Sequence, residues 1–155
     1  MSVTTPKGFR AAGVASGIKK SGKKDLALVV NDGPLRTAAA VFTSNRVEAA
    51  PVTWSRQAVS DGIAHAAVLN SGGANACTGP EGFADTHHTA EKVAQVLNTS
   101  PGDVLVASTG LIGMRLPMDK LLPGVDQAAA ALSTDGGEDA AVAIMTTDAV
   151  HKTAE

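Results

Sequence analysis

The sequence contains no tyrosine, and aromatic residues occupy only 3% of its 155 positions. A core without large rings has to be assembled from Ala, Val, Leu and Ile with backbones brought close together, an arrangement that the 16 glycines suit. Cysteine is nearly absent too. Cys77 is the single example, so no internal disulfide can form, in keeping with a reducing compartment. No apolar run approaches the roughly 18 residues that a membrane span needs. The opening MSVTTPKGF lacks the apolar stretch of a secretory signal, and a cytoplasmic protein is the expectation. There is no surplus of either charge: 13 Lys and Arg face 15 Asp and Glu, for a formal net charge of −2. The one basic cluster, Lys19-Lys20…Lys23-Lys24, sits among Gly and Ser and reads as a solvated loop. It lacks the interleaved aromatics of a nucleic-acid surface.

What is present is a chain with 44% hydrophobic and 18% charged residues, enough for one packed domain. Asp25 to Val30 (DLALVV) is a compact strand signal closed by Asn31-Asp32-Gly33-Pro34. Thr37 to Phe42 (TAAAVF) follows as a second strand, and the two read as a hairpin. Pro51 to Trp54 reads as extended, with Ser55 capping a brief helix through Val59. His65 to Leu69 is a third strand running into the turn Asn70-Ser71-Gly72-Gly73-Ala74-Asn75. Thr78-Gly79-Pro80-Glu81 has the spacing of a capping box, and Phe83, His87, Ala90, Ala94 and Leu97 form one helical stripe behind it. Val104 to Ala107 is a fourth strand, ending abruptly at Ser108-Thr109-Gly110. Two further helices are expected over Leu122 to Leu132, limited at Pro123, and over Asp139 to Met145. The order predicts a mixed α/β (α+β) fold.

Two strand ends thus open into polar, glycine-bearing turns, NSGGAN and STG. Such turns either simply take positive φ or expose N–H groups to a ligand. Neither a GxGxxG fingerprint nor a Walker A loop is present, and no cofactor is expected. Cys77 reads as a small buried thiol, too far along the helix from His87 or His88 to pair with them. His87 falls on the apolar stripe and His88 on the opposite face. His65 and His151 have no partners at ligand spacing, so no metal site is expected. Asp32, Asp85, Asp119, Asp135 and Asp148 read as caps at turns and helix starts.

Taken together, "LNSGGANACTG" (69–79), "STGLIG" (108–113), "LPMDKLL" (116–122) and "AIMTTD" (143–148) resemble the glutamate/ornithine N-acetyltransferase family of arginine biosynthesis. "GFRAAGVASGIK" and "AAAVFTSNRVEAAPV" resemble it as well, so the likeness spans nearly the whole chain. The resemblance implies a layered αββα sandwich completed by a second chain. In this picture residues 1–155 are a single domain and most of the α chain of a self-cleaved precursor, which lacks the end of the α chain and the whole β chain. The nucleophile is then the N-terminal threonine of the β chain, carried outside this sequence, and two αβ pairs assemble. The implied reaction is ping-pong transfer of acetyl from N-acetylornithine to glutamate, with acetyl-CoA as a further donor in some members. The resemblance assigns Thr109 and Gly110 to the oxyanion hole, and Thr146, with Thr147 second, to substrate binding. Two other readings share parts of this pattern: a self-processing aminopeptidase or hydrolase of the N-terminal-nucleophile type, and a non-enzymatic subunit that binds a small ligand. The role of Pro123 is not read.

Overall fold

The computed structural model describes residues 2–154. Four strands form one sheet in the order β1-β2-β3-β4: β1 (Phe9–Val14), β2 (Leu26–Asn31), β3 (Ala66–Gly73) and β4 (Val104–Leu111). β1 and β3 both pair antiparallel with β2, and β4 lies parallel to β3. A parallel neighbour requires a crossover, supplied here by helix α2 (Gly79–Leu97). The remaining helices are α1 (Ala50–Ala58), α3 (Met118–Ala130) and α4 (Gly137–Ala143). Mixed helices on a four-stranded sheet bear out the expected α+β class.

Strand alternation divides the apolar residues between two faces. On one face Leu26, Leu28, Val30, Val68, Val104 and Val106 form the main core with Ala90 and Val93 of α2 and Leu121, Val125 and Ala128 of α3. The other face is covered only in part. Ala140 and Ala143 of α4 bury Ala11 and Ala27, whereas Ala67, Leu69 and Leu105 remain half-buried and Ala107 is exposed.

Several local expectations are corrected. The hairpin partner of β2 is β1, not residues 37–42, because both edges of β2 are already taken by β1 and β3. Thr37 keeps one isolated bridge to Ile63, and residues 38–42 have no regular structure. Pro51 and Trp54 lie inside α1, where a proline in the first turn forfeits no hydrogen bond. Ser55 is a buried mid-helix residue, not a cap. Its hydroxyl donates to the Val106 carbonyl (2.7 Å) and accepts from the Val106 N–H (2.8 Å), while Trp54 Nε1 donates to the Val104 carbonyl (3.0 Å). Helix α1 thereby covers the outer edge of β4 as a further strand would. The capping box does not form either. The Thr78 hydroxyl donates to Asn75 Oδ1 (2.7 Å), and Glu81 pairs instead with Arg115 (3.2 Å).

The stripe on α2 is rotated from its expected position. Asp85, Thr86 and Thr89 are buried, while Phe83 and His87 sit on an exposed flank against Trp54, with His87 4.9 Å from the indole by ring centroid. Cys77 is exposed, at φ +57°, rather than buried. Helix α3 runs through Pro123 without stopping.

Candidate active site

The two glycine-bearing ends are not free turns. β3 continues through Gly73 and β4 through Leu111, and the two motifs pair with one another: Asn70 with Ser108, Ser71 with Thr109, Gly72 with Gly110. Side chains bind this register. Ser108 Oγ donates to Asn70 Oδ1 (2.6 Å), and Asn70 Nδ2 donates to the Gly73 carbonyl (3.0 Å). Gly110 has φ +137°, and a Cβ there would lie 2.6 Å from both Gly72 C and Gly73 N. No side chain fits, so the glycine is what lets the two strand ends close together.

The geometry also fixes where the donors point. The N–H and C=O of Val106 face outward to Ser55, and the Val104 carbonyl faces outward to Trp54. Backbone direction repeats every second residue, so the Gly110 N–H faces the same outer side, beyond the first turn of α1, whose Ala50 N–H donates to the Asn75 carbonyl. The Thr109 side chain, exposed, shares the parity of Leu105 and Ala107 and therefore stands on the partly covered face. A hydroxyl and an N–H on adjacent residues thus both leave the sheet at its open corner.

Thr146 and Thr147 follow α4 and are exposed. The structure ties their segment to the paired strand ends through intermediate contacts. Ser71, the cross-strand partner of Thr109, donates its hydroxyl to the Ala143 carbonyl at the end of α4 (2.5 Å). Lys19 Nζ donates to the Met145 carbonyl (2.6 Å), one residue before Thr146. The Thr146 N–H donates to Asp148 Oδ2 (3.4 Å). Asp148 is held below the usual carboxylate range by hydrogen bonds from Lys152 and from the Thr146 N–H.

Lys19 is one of several residues that sequence reasoning missed, having been read as part of a solvated loop. Its stem is half-buried, and desolvation lowers its ammonium pKa. Asp25, fully buried at the start of β2, is another. Its carboxylate accepts from the Ser16 N–H (2.7 Å) and hydroxyl (2.8 Å), the Gly17 N–H (3.1 Å) and the Lys19 N–H (2.8 Å). Asp85 is not a cap: buried within α2, it accepts a two-pronged pair from Arg115 at 2.8 and 2.7 Å. That pair fastens the loop following β4 to α2. His65 is buried at the opposite end of β3, with Nδ1 bonded to no described residue, and burial lowers its pKa. Among the described residues, no group of three or more His, Cys, Asp and Glu side chains is placed to hold a metal, and no helix is long and apolar enough to cross a membrane.

Fold and site together define a layered α+β protein that presents neutral donors, an exposed hydroxyl and a backbone N–H, at the end of a parallel strand pair. Comparison with known proteins makes the assignment particular. The ArgJ family model matches residues 10–155, and the chain belongs to that family. It is 69% identical over 153 residues to the arginine biosynthesis bifunctional protein ArgJ of Streptomyces coelicolor, covering 99% of this chain and 40% of that protein. With the ArgJ protein of Thermobifida fusca it shares 64% over 154 residues, again with 99% and 40% coverage. The chain therefore spans about two fifths of the length of these curated relatives. Among solved structures, the ornithine acetyltransferase of Mycobacterium tuberculosis complexed with ornithine superposes with TM-score 0.95 at 60% identity, over 96% of this chain and 81% of that one. The ArgJ protein of Bacillus halodurans gives TM-score 0.88 at 38% identity, over 97% and 78%.

Proposed function

We propose that this chain is the α part of an ornithine acetyltransferase that moves an acetyl group from N-acetylornithine to glutamate in arginine biosynthesis. The observation that carries the reading is the in-register pairing of Ser71-Gly72 with Thr109-Gly110, which holds two donors at one open corner of the sheet. Acyl transfer gathers negative charge on the substrate carbonyl oxygen. Donors already fixed in place stabilise that oxyanion without having to reorganise, and each is typically worth about 3 kcal/mol of barrier. In this scheme the Thr109 hydroxyl and the Gly110 N–H form the oxyanion hole, while Thr146, with Thr147 as second choice, binds substrate. The nucleophile is the N-terminal threonine of a β chain released from the same precursor. Its own amine acts as base, giving an acetyl-threonine intermediate and ping-pong kinetics. Two αβ pairs form the working enzyme.

Support for a divided precursor comes from lengths among the relatives. The same stretch fills 81% of the solved Mycobacterium tuberculosis chain but 39% of the full-length ArgJ protein from that organism, so the solved chain is about half of the whole. The test uses the full-length protein, examined by denaturing mass spectrometry and by acetyl transfer. Two chains are expected, the second beginning with threonine. Thr109→Ala should leave both chains assembled and slow acetyl transfer by about 10²- to 10³-fold. Unslowed transfer in Thr109→Ala would remove this residue from the oxyanion hole. Hydrolysis of an acylated amine with no transfer to glutamate would favour an aminopeptidase of the same architecture.

A further inference from the structure

We propose that Lys19 is a positioning residue that sets the substrate-binding threonine segment against the paired glycine ends. The inference rests on the acetyltransferase reading for its kinetic consequences, but its geometry stands separately. Helix α4 ends at Ala143, and the carbonyls of its last turn have no continuing helix to accept from. Ser71 Oγ, from β3, donates to the Ala143 carbonyl at the end of the helix, and Lys19 Nζ, from the β1–β2 connection, donates to the Met145 carbonyl two residues beyond it. Lys19 Nζ also donates to the Lys24 carbonyl (3.1 Å), so the ammonium bridges the β1–β2 connection to the segment that begins at Thr146. A cation just past a helix C-terminus is itself favourable, because the helix end carries partial negative charge.

The lysine is aimed from below. Asp25, anchored at the head of β2, gathers the backbone of residues 16–19 around its carboxylate, which fixes where the Lys19 side chain starts. Gly72 then leaves the passage open. A Cβ at that position would lie 2.9 Å from Ile18 Cγ2 and 3.4 Å from Lys19 Cγ. Gly72 is the partner of Gly110, so one residue both admits the lysine stem on one side and packs against the proposed oxyanion hole on the other. The placement of Thr146 relative to Gly110 is therefore set by a chain of three contacts: Gly110 against Gly72, Gly72 against Lys19, and Lys19 on the Met145 carbonyl.

The test uses the full-length, self-processed enzyme with Lys19→Met and Lys19→Arg. Lys19→Met keeps the length of the stem and loses both charge-assisted bonds. Its KM for N-acetylornithine should rise about tenfold with kcat within about twofold, the scale of one charge-assisted hydrogen bond. Hydrogen exchange of the amides from 144 to 150 should quicken. Lys19→Arg, which still presents a cation to the same carbonyls, should recover most of the KM. An unchanged KM together with unchanged exchange overturns the proposal, as does a fall in kcat alone. If Lys19→Met fails to accumulate as folded enzyme, Lys19→Gln is measured in the same way and judged by the same two outcomes. Should the wild-type protein prove to have no acetyl transfer at all, the functional reading fails while the exchange measurement still decides whether Lys19 holds the segment.

Discussion

His65 shows how a single buried side chain makes stability depend on pH. It is 6% exposed, its Nδ1 bonds to no described residue, and desolvation lowers its pKa from the ordinary 6.5. The fold favours the neutral imidazole, while the unfolded chain is free to protonate. The contribution is intact above pH 6.5 and is lost as the pH falls below it, since the unfolded state then binds the additional proton. Wild-type protein should therefore lose melting temperature on acidification to about pH 5.5, a unit below the ordinary histidine value, and His65→Phe should lose less. Equal losses in both would mean that His65 is not the group responsible. At this scale the sequence was least informative. Asp25 looked like the start of a strand because its partners, Ser16 to Lys19, come to it only once the loop has folded back. Asp85 looked like a cap because Arg115 lies 30 residues away. Thr109 and Gly110 could be named from a motif, whereas Lys19 could not, because its target is a backbone carbonyl and carbonyls leave no mark in a sequence.

At the scale of elements, apolar runs and helical stripes located three of the four strands and the helices α2 to α4, because burial on one face imposes a period on the sequence. Strand β1 escaped because FRAAGV is short and rich in Ala and Gly, with little of the β-branched character that marks a strand. Of helix α1 only the second half was read, as a brief helix from Ser55; its first turns escaped because the proline suggested an extended piece and because the helix covers a strand edge rather than a core face. Ser55 makes that role measurable. Its hydroxyl satisfies both the N–H and the carbonyl of Val106, which are otherwise buried without partners. Ser55→Ala should cost about 2–3 kcal/mol in a denaturant titration, the scale of stranding two buried backbone groups. A loss below half a kilocalorie, roughly the level of an ordinary surface change, would show that water replaces the hydroxyl and that α1 is a looser cover than its bonds suggest.

At the scale of the whole molecule, the sheet is closed on one side and open on the other. α2 and α3 seal the first face. On the second, a groove of about 320 Å³ is lined by Phe42, Pro51, Val52, Leu69, Leu105 and Ala107, next to the corner where Thr109 stands. An apolar sheet face of this kind is expected to be covered in the assembled protein. On the proposed two-chain reading, Leu105→Asp in the full-length protein should weaken the association of the chains, seen as dissociation in native mass spectrometry at concentrations where the wild type stays intact. Retention of the wild-type assembly would mean that the face is covered by something other than the partner chain. The mixed α/β class was legible from element order and the layered arrangement only from the family resemblance, but which face lay bare was not, because residues 37–42 read as a strand and are irregular in the structure.

The scarcity of aromatic residues has an optical consequence. With no tyrosine and a single tryptophan, almost all the near-ultraviolet emission of this chain comes from Trp54, whose indole N–H is bonded to Val104 and whose ring lies against His87 and Phe83. Its fluorescence is thus a built-in reporter for one joint, the seam between α1, α2 and the root of β4. Any event that shifts the strand carrying Thr109 can be followed there without adding a label.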